Sequence, residues 1–156
     1  MIVALVGWLA LAVFQQRRQR AAAERLGTDL QAFAAEFRNY RQQQAHWPPS
    51  TNGESAVPRG MENALRGTNW LNGTPVGGNY GWVAPDAADA SAENAGRDWG
   101  ASGAIAVTAF SPSFPLTLSA ADLAAIDAKI DDGNLATGRF RTGFNGWPVL
   151  LVGEKH

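Results

Sequence analysis

Four oxygen-bearing side chains crowd one short stretch near the C-terminal end: Asp127, Asp131, Asp132 and Asn134. Calcium takes about six to eight oxygen ligands, and this stretch offers about four, without the loop spacing of an EF-hand. Asp132-Gly133 therefore reads first as the stop of a helix, and no metal ligand is expected. Asp131 and Asp132 are adjacent in sequence, so their carboxylates diverge rather than flank a substrate bond. Ser102 lies in Trp99-Gly100-Ala101-Ser102-Gly103, which lacks the Gly-x-Ser-x-Gly spacing of a nucleophile elbow, and neither histidine, His46 or His156, is placed to activate it. Gly73, Gly77, Gly78 and Gly81 match neither the dinucleotide fingerprint nor a P-loop. The absence of cysteine excludes disulfides, thiolate metal sites and a cysteine nucleophile. A formal net charge of -1 leaves no basic surplus for nucleic acid. No catalytic residue and no cofactor is expected, and the chain does not read as an enzyme.

Six tryptophans are many for 156 residues. Trp8 belongs to an apolar N-terminal run. Trp47, Trp70, Trp82, Trp99 and Trp147 have two readings: a surface on which sugar faces stack, or the core of a thin domain with little aliphatic content. The burial tendency of large aromatics favours the core.

The element that must position everything else is the first forty-four residues, which carry an unbroken helical pattern without proline. Its opening, Ile2, Val3, Ala4, Leu5, Val6, Gly7, Trp8, Leu9, Ala10, Leu11, Ala12, Val13 and Phe14, is apolar on every side. Thirteen residues fall short of the roughly 20 that cross a bilayer as a helix. A signal peptide would show a basic residue before the run and a small-residue cleavage site. A core helix would be apolar on one stripe only. A membrane helix whose beginning lies upstream fits best, although Arg17, Arg18 and Arg20 would then mark a cytoplasmic edge unless a basic leader outvotes them. From Glu24 the pattern changes: Leu26, Leu30, Phe33, Phe37 and Tyr40 recur at spacings of 4, 3, 4 and 3, which places one packing stripe on an otherwise wet helix. The expected helix is on the order of 64 Å long. Residues 1–23 are its membrane or filament-core part, and residues 24–156 form a head that includes its amphipathic half.

The helix should stop at His46-Trp47-Pro48-Pro49. Residues 57–65 have room for one or two helical turns with Met61 and Leu65 on one side. A strand is expected after the turn at 74–78, with Tyr80 and Trp82 on one face. Residues 84–100 read as a loop, and residues 104–110 as a central strand with two mildly apolar faces. Ser119-Ala120-Ala121-Asp122 resembles a capping box, opening a helix carried by Leu123, Ile126 and Ile130. Residues 138–141 and 147–152 read as two strands joined by a turn rich in glycine and asparagine. The class is α+β: a long N-terminal helix, then a small antiparallel sheet of about four strands with one or two short helices.

Across nearly its whole length the chain resembles the type IV pilin-like family, in particular the pseudopilins and prepilin-type proteins of type II secretion. The likeness rests on an apolar helix running into an amphipathic one, on TDLQAFAAEFRNYRQQQAHWPPS at the helix exit, on TPVGGNYGW entering the sheet, and on DAKIDDGNLATGRFR before the last strands. It implies a pilin-like fold and a structural subunit of a secretion or pilus-like filament, not a catalyst. The implied partners are identical or related pilin-like subunits, an inner-membrane assembly platform and the membrane itself, with no nucleic acid. The implied location is the inner membrane, crossed once, with the head in the periplasm. Ile2, Val3, Ala4, Leu5, Val6, Gly7, Trp8, Leu9, Leu11, Val13 and Phe14 would serve as membrane anchor and assembly surface, and Leu26, Leu30, Phe33, Phe37 and Tyr40 as the packing stripe.

Members of the family begin with a short basic leader ending in glycine and then a Phe-Thr-Leu-x-Glu run. Met1-Ile2-Val3-Ala4-Leu5 is similar to the segment just after that glutamate, so translation is expected to start upstream. Five further residues would bring the apolar segment to roughly 19, enough to span. A different class of function also fits the sequence: a monomeric membrane-anchored envelope protein whose head binds a ligand such as polysaccharide.

Overall fold

The computed structural model describes residues 2–51, 56–85 and 102–153, with the side chains of residues 2–10 and 144 left aside. Within these bounds the chain is α+β. Helix α1 spans Ile2–Gln44 without a break, as its lack of proline allows. It ends where Ala45 turns into the left-handed region at φ 61, a conformation that costs an L-residue about 1 kcal/mol. Arg41 steadies this turn by donating to the Ala45 carbonyl, and its guanidinium lies 6.0 Å from the Trp47 ring centroid.

Four strands come next: β1 (Asn79–Val83), β2 (Gly103–Thr108), β3 (Phe140–Thr142) and β4 (Pro148–Val152). They form one sheet in the order β1-β2-β4-β3, with every neighbouring pair antiparallel. Tyr80 pairs with Val107 and Trp82 with Ile105, while Ile105 pairs with Leu150 and Gly103 with Val152. The two-residue alternation of a strand therefore gathers these large side chains on one face. The opposite face carries a smaller cluster of Ala104, Val149 and Leu151. Central placement explains why β2 and β4 are apolar on both sides.

The main core lies between the first face and α1. Leu26, Leu30, Phe33 and Phe37 are at most 2% exposed, and Tyr40 is half-buried at the edge. Phe37 stacks on Trp82 with centroids 4.0 Å apart and planes at 22°. Phe33 meets Trp70 and Tyr80 edge-on at 5.1 and 4.9 Å, the geometry that opposed ring quadrupoles favour. Both fully buried indoles satisfy their N–H: Trp70 donates to the Ala56 carbonyl at 2.9 Å and Trp82 to that of Pro48 at 2.9 Å. The chain leaving α1 is thus tied to β1, and Thr51 N–H donates to the Trp82 carbonyl as well.

Helix α2 spans Ala120–Ile130. Asp122 N–H donates to the Ser119 hydroxyl at 3.1 Å and Ser119 N–H to the Asp122 carboxylate at 3.0 Å, the reciprocal arrangement of a capping box. Leu123, Ile126 and Ile130 are buried, and α2 approaches α1 where Gly27 faces Ile126. Lys129 pairs with Glu24 across this contact at 2.8 Å. Both ends are well exposed, so the pair holds the Glu24 carboxyl below its ordinary range but is screened by water.

Two details differ from the sequence pattern. Residues 57–65 form turns rather than a helix: Gly60 sits at φ 90, and one hydrogen bond of α-type, Leu65 N–H to the Met61 carbonyl, is made. Met61 and Leu65 are buried all the same. Strand β2 ends at Thr108, where β1 runs out of partners at Asn79. Most of the expected loop at 84–100 lies outside the described residues.

Candidate functional site

Three places in the fold could carry function: the exposed stretch of α1 at residues 11–20, the aromatic side chains, and the carboxylates at the end of α2. On α1, contact with the head begins near Gln19, whose amide reaches the Thr117 carbonyl at 3.4 Å, and becomes core at Ala23. All of residues 11–20 are exposed. Leu11, Val13 and Phe14 are 54%, 48% and 58% exposed, and the Arg18 guanidinium lies 5.8 Å from the Phe14 ring centroid. The remaining anchor residues, Ile2, Val3, Ala4, Leu5, Val6, Gly7, Trp8 and Leu9, are helical in backbone. Their side chains lie outside the described set. No helix among the described residues is long and apolar enough to cross a membrane.

The tryptophans divide. Trp70 and Trp82 are core, whereas Trp47 and Trp147 are half-buried, and Trp99 falls outside the described residues. Trp147 meets the exposed Phe110 edge-on at 4.8 Å.

Beneath the aromatic core runs a polar contact that no sequence pattern announces. Tyr80 donates its hydroxyl to Asp29 at 3.1 Å, and Asn69 donates to the same carboxylate at 3.3 and 3.4 Å. Burial first, and the Asp29 charge second, push the Tyr80 hydroxyl well above its ordinary value. In the unfolded chain a phenol ionises near pH 10. Above that pH the folded state keeps a proton that the unfolded state loses, so stability falls as pH rises. Tyr80→Phe is expected to cost about 1.5 kcal/mol near neutrality, because a hydrogen bond to a charged acceptor is lost. It should also remove about 1.4 kcal/mol per pH unit of the alkaline decline. Urea unfolding of both proteins at about pH 8 and about pH 11 reads this; parallel declines would show that Tyr80 is not the group responsible.

The carboxylates at the end of α2 are brought together. One oxygen from each of Asp127, Asp131 and Asp132 lies within 4.8 Å of the others. Asp131 and Asp132 are exposed, but Asp127 is fully buried, at 0%. Both of its carboxylate oxygens lack a hydrogen-bond partner. Burial, then the charges of Asp132 and Asp131, push its carboxyl above the ordinary range. Asp132 is held below its range by the Asn134 N–H and the Thr137 hydroxyl, both at 2.8 Å. Asp131 accepts from the Arg139 N–H and lies against Gly138, at φ 71, where a Cβ would strike the carboxylate. Asn134 turns its side-chain oxygen to the Ala136 N–H at 3.1 Å, away from the group.

As a run of letters these aspartates are oxygens around a helix stop, and nothing in their count reveals that one of them is inside. A signal exists all the same, because Asp127 stands four residues after Leu123 and three before Ile130, on the buried stripe itself. Comparison of the chain with family models, with curated proteins and with solved structures finds no match.

Proposed function

We propose that the protein is a structural subunit of a bacterial type II secretion or type IV pilus-like filament, a pseudopilin-type protein anchored in the inner membrane before assembly. The observation that carries this reading is the division of one continuous helix. From Ala23 to Phe37 one stripe of the helix is buried against the head, while residues 11–20 are exposed, with Leu11, Val13 and Phe14 largely so. Apolar side chains on a projecting helix require lipid or other helices around them. A filament whose centre is such helices side by side supplies the second after a membrane has supplied the first.

Exchange of lipid for like helices gains little hydrophobic free energy, so association in this setting depends on close packing and polar registration. Ala4, Gly7, Ala10 and Ala12 are small enough to permit close approach. The partners are then identical or related pilin-like subunits and an assembly platform in the inner membrane, and the head faces the periplasm. No catalytic step is assigned to the head.

The absence of native cysteine makes the test direct. With Leu5→Cys and Phe14→Cys introduced together and oxidant added to the producing cells, a ladder of covalent multimers is expected. A single species at monomer mass would overturn the filament and favour the monomeric envelope protein with a ligand-binding head.

A further inference from the structure

We infer that Arg17, Arg18 and Arg20 bind the phosphate headgroups of anionic lipids at the bilayer surface where α1 leaves the membrane. The inference rests on the reading of the N-terminal apolar run as a segment held by lipid, and adds which lipid the protein selects. Three arginines fall between positions 17 and 20, and no acidic residue precedes Glu24 in the sequence. All three are exposed. Among the described residues they join no ion pair, and the carboxylates that line the same groove as Arg20, those of Glu24 and Asp122, are committed elsewhere. Glu24 pairs with Lys129 at 2.8 Å, and Asp122 accepts from the Ser119 N–H at 3.0 Å and from its hydroxyl at 2.6 Å. The cluster is thus a local positive charge without a counter-charge of its own, set directly after an apolar segment, which is the arrangement that anionic membrane surfaces attract.

Placement on the helix selects the partner. Gln19 touches the head through the Thr117 carbonyl at 3.4 Å. At about 100° per residue, Arg17 is turned by about 160° from Gln19, and Arg18 and Arg20 by about 100° to either side of it. The arginines therefore fan across the face of α1 turned from the head. A protein surface meets one side of a helix, whereas headgroups surround it and reach all three. The Arg18 guanidinium lies 5.8 Å from the Phe14 ring centroid, so a charge stands one helical turn beyond a ring that is 58% exposed. Ring toward acyl chains and guanidinium toward phosphate is the order in which such side chains cross an apolar-to-polar boundary. The rise from Phe14 to Arg20 is about 9 Å, close to the depth of a headgroup layer, about 5–8 Å on each side of a bilayer. Guanidinium groups also suit phosphate, because their fork of donors meets two oxygens at once.

The full chain is mixed with vesicles of phosphatidylcholine alone, or of phosphatidylcholine and phosphatidylglycerol in equal parts, and the fraction that floats is followed against lipid concentration. Each basic residue near an anionic surface strengthens partitioning about fivefold, so the anionic vesicles should bind at least about thirtyfold more tightly. Salt at about 0.5 M should remove most of this gain. Arg17→Gln, Arg18→Gln and Arg20→Gln together should abolish the gain while leaving binding to neutral vesicles and the melting temperature unchanged, because the three positions are exposed. The three corresponding changes to lysine should keep most of it, since the attraction is to charge. Equal binding of the parent to the two vesicles, or an undiminished gain in the glutamine variant, would overturn the inference, while binding to neutral vesicles would still support the lipid-held segment. Absence of binding to either vesicle would overturn both. Loss of the crosslinked ladder in the glutamine variant with the anionic gain intact would assign the arginines to a neighbouring subunit instead.

Discussion

Phe37→Ala is expected to destabilise the head by about 4 kcal/mol, the usual loss for deleting a buried phenyl ring. Phe37 has no exposed surface, stacks on Trp82 at 4.0 Å and leans on Trp70 at 5.5 Å. Its removal opens a cavity at the point where α1 and the sheet share one aromatic layer. A domain of this size has about 5–15 kcal/mol in total, so the variant should unfold at far lower urea, with the midpoint moved and the slope unchanged. The matched change Phe14→Ala, at a residue 58% exposed, should move the midpoint by under about 0.5 kcal/mol. Equal costs at the two positions would contradict the division of α1 into a sealed half and an uncovered half.

Gly103→Ala is the second large effect. Gly103 lies on the core face opposite Val152, and a Cβ there would overlap the six-membered ring of Trp82. The obstacle is the ring and not the backbone, because Gly103 does not occupy the left-handed region. Overpacking of this kind costs about 3 kcal/mol. Since one ring accounts for it, Trp82→Phe should release it: in that background Gly103→Ala should cost under about 1 kcal/mol. A double-mutant cycle on urea midpoints then yields a coupling of about 2 kcal/mol. Additive costs would mean that the strain resides in the strand backbone.

These two positions also mark how far the fold is legible in the sequence. Helix α1 is legible because nothing interrupts its period, and its stripe of Leu26, Leu30, Phe33 and Phe37 is legible because a helix buries what recurs at 3 and 4. Helix α2 is legible from its cap, which is a local event between Ser119 and Asp122. The strands are legible as alternations, and β2 as central because both its faces are apolar. The order β1-β2-β4-β3 is not legible, since pairing partners are chosen by contacts across the whole chain. Nor is the fit of Trp82 over Gly103, which joins residues on neighbouring strands. The turns at 57–65 defeat periodicity because Met61 and Leu65 are buried without a helix to carry them, and Gly60 at φ 90 diverts the backbone between Pro58 and Met61. At the carboxylates, composition counts oxygens correctly but cannot count depth. That Asp127 is inside is carried by its spacing from Leu123 and Ile130 and not by the number of aspartates around it.

The sheet order has a consequence for how the molecule is made. Strand β4 is the last of the described strands, yet it lies between β2 and β3 and contributes Leu150 and Val152 to the layer beneath α1. Helix α1 is synthesised before all four strands, and its apolar stripe has no complete surface to close upon until Val152 has been added. While residues 45–152 are being made, the nascent chain therefore carries the unsatisfied apolar stripe of Leu26, Leu30, Phe33 and Phe37. Until β4 enters the gap between β2 and β3, that stripe is open to other chains, and the hazard of association lasts as long as the strand is missing.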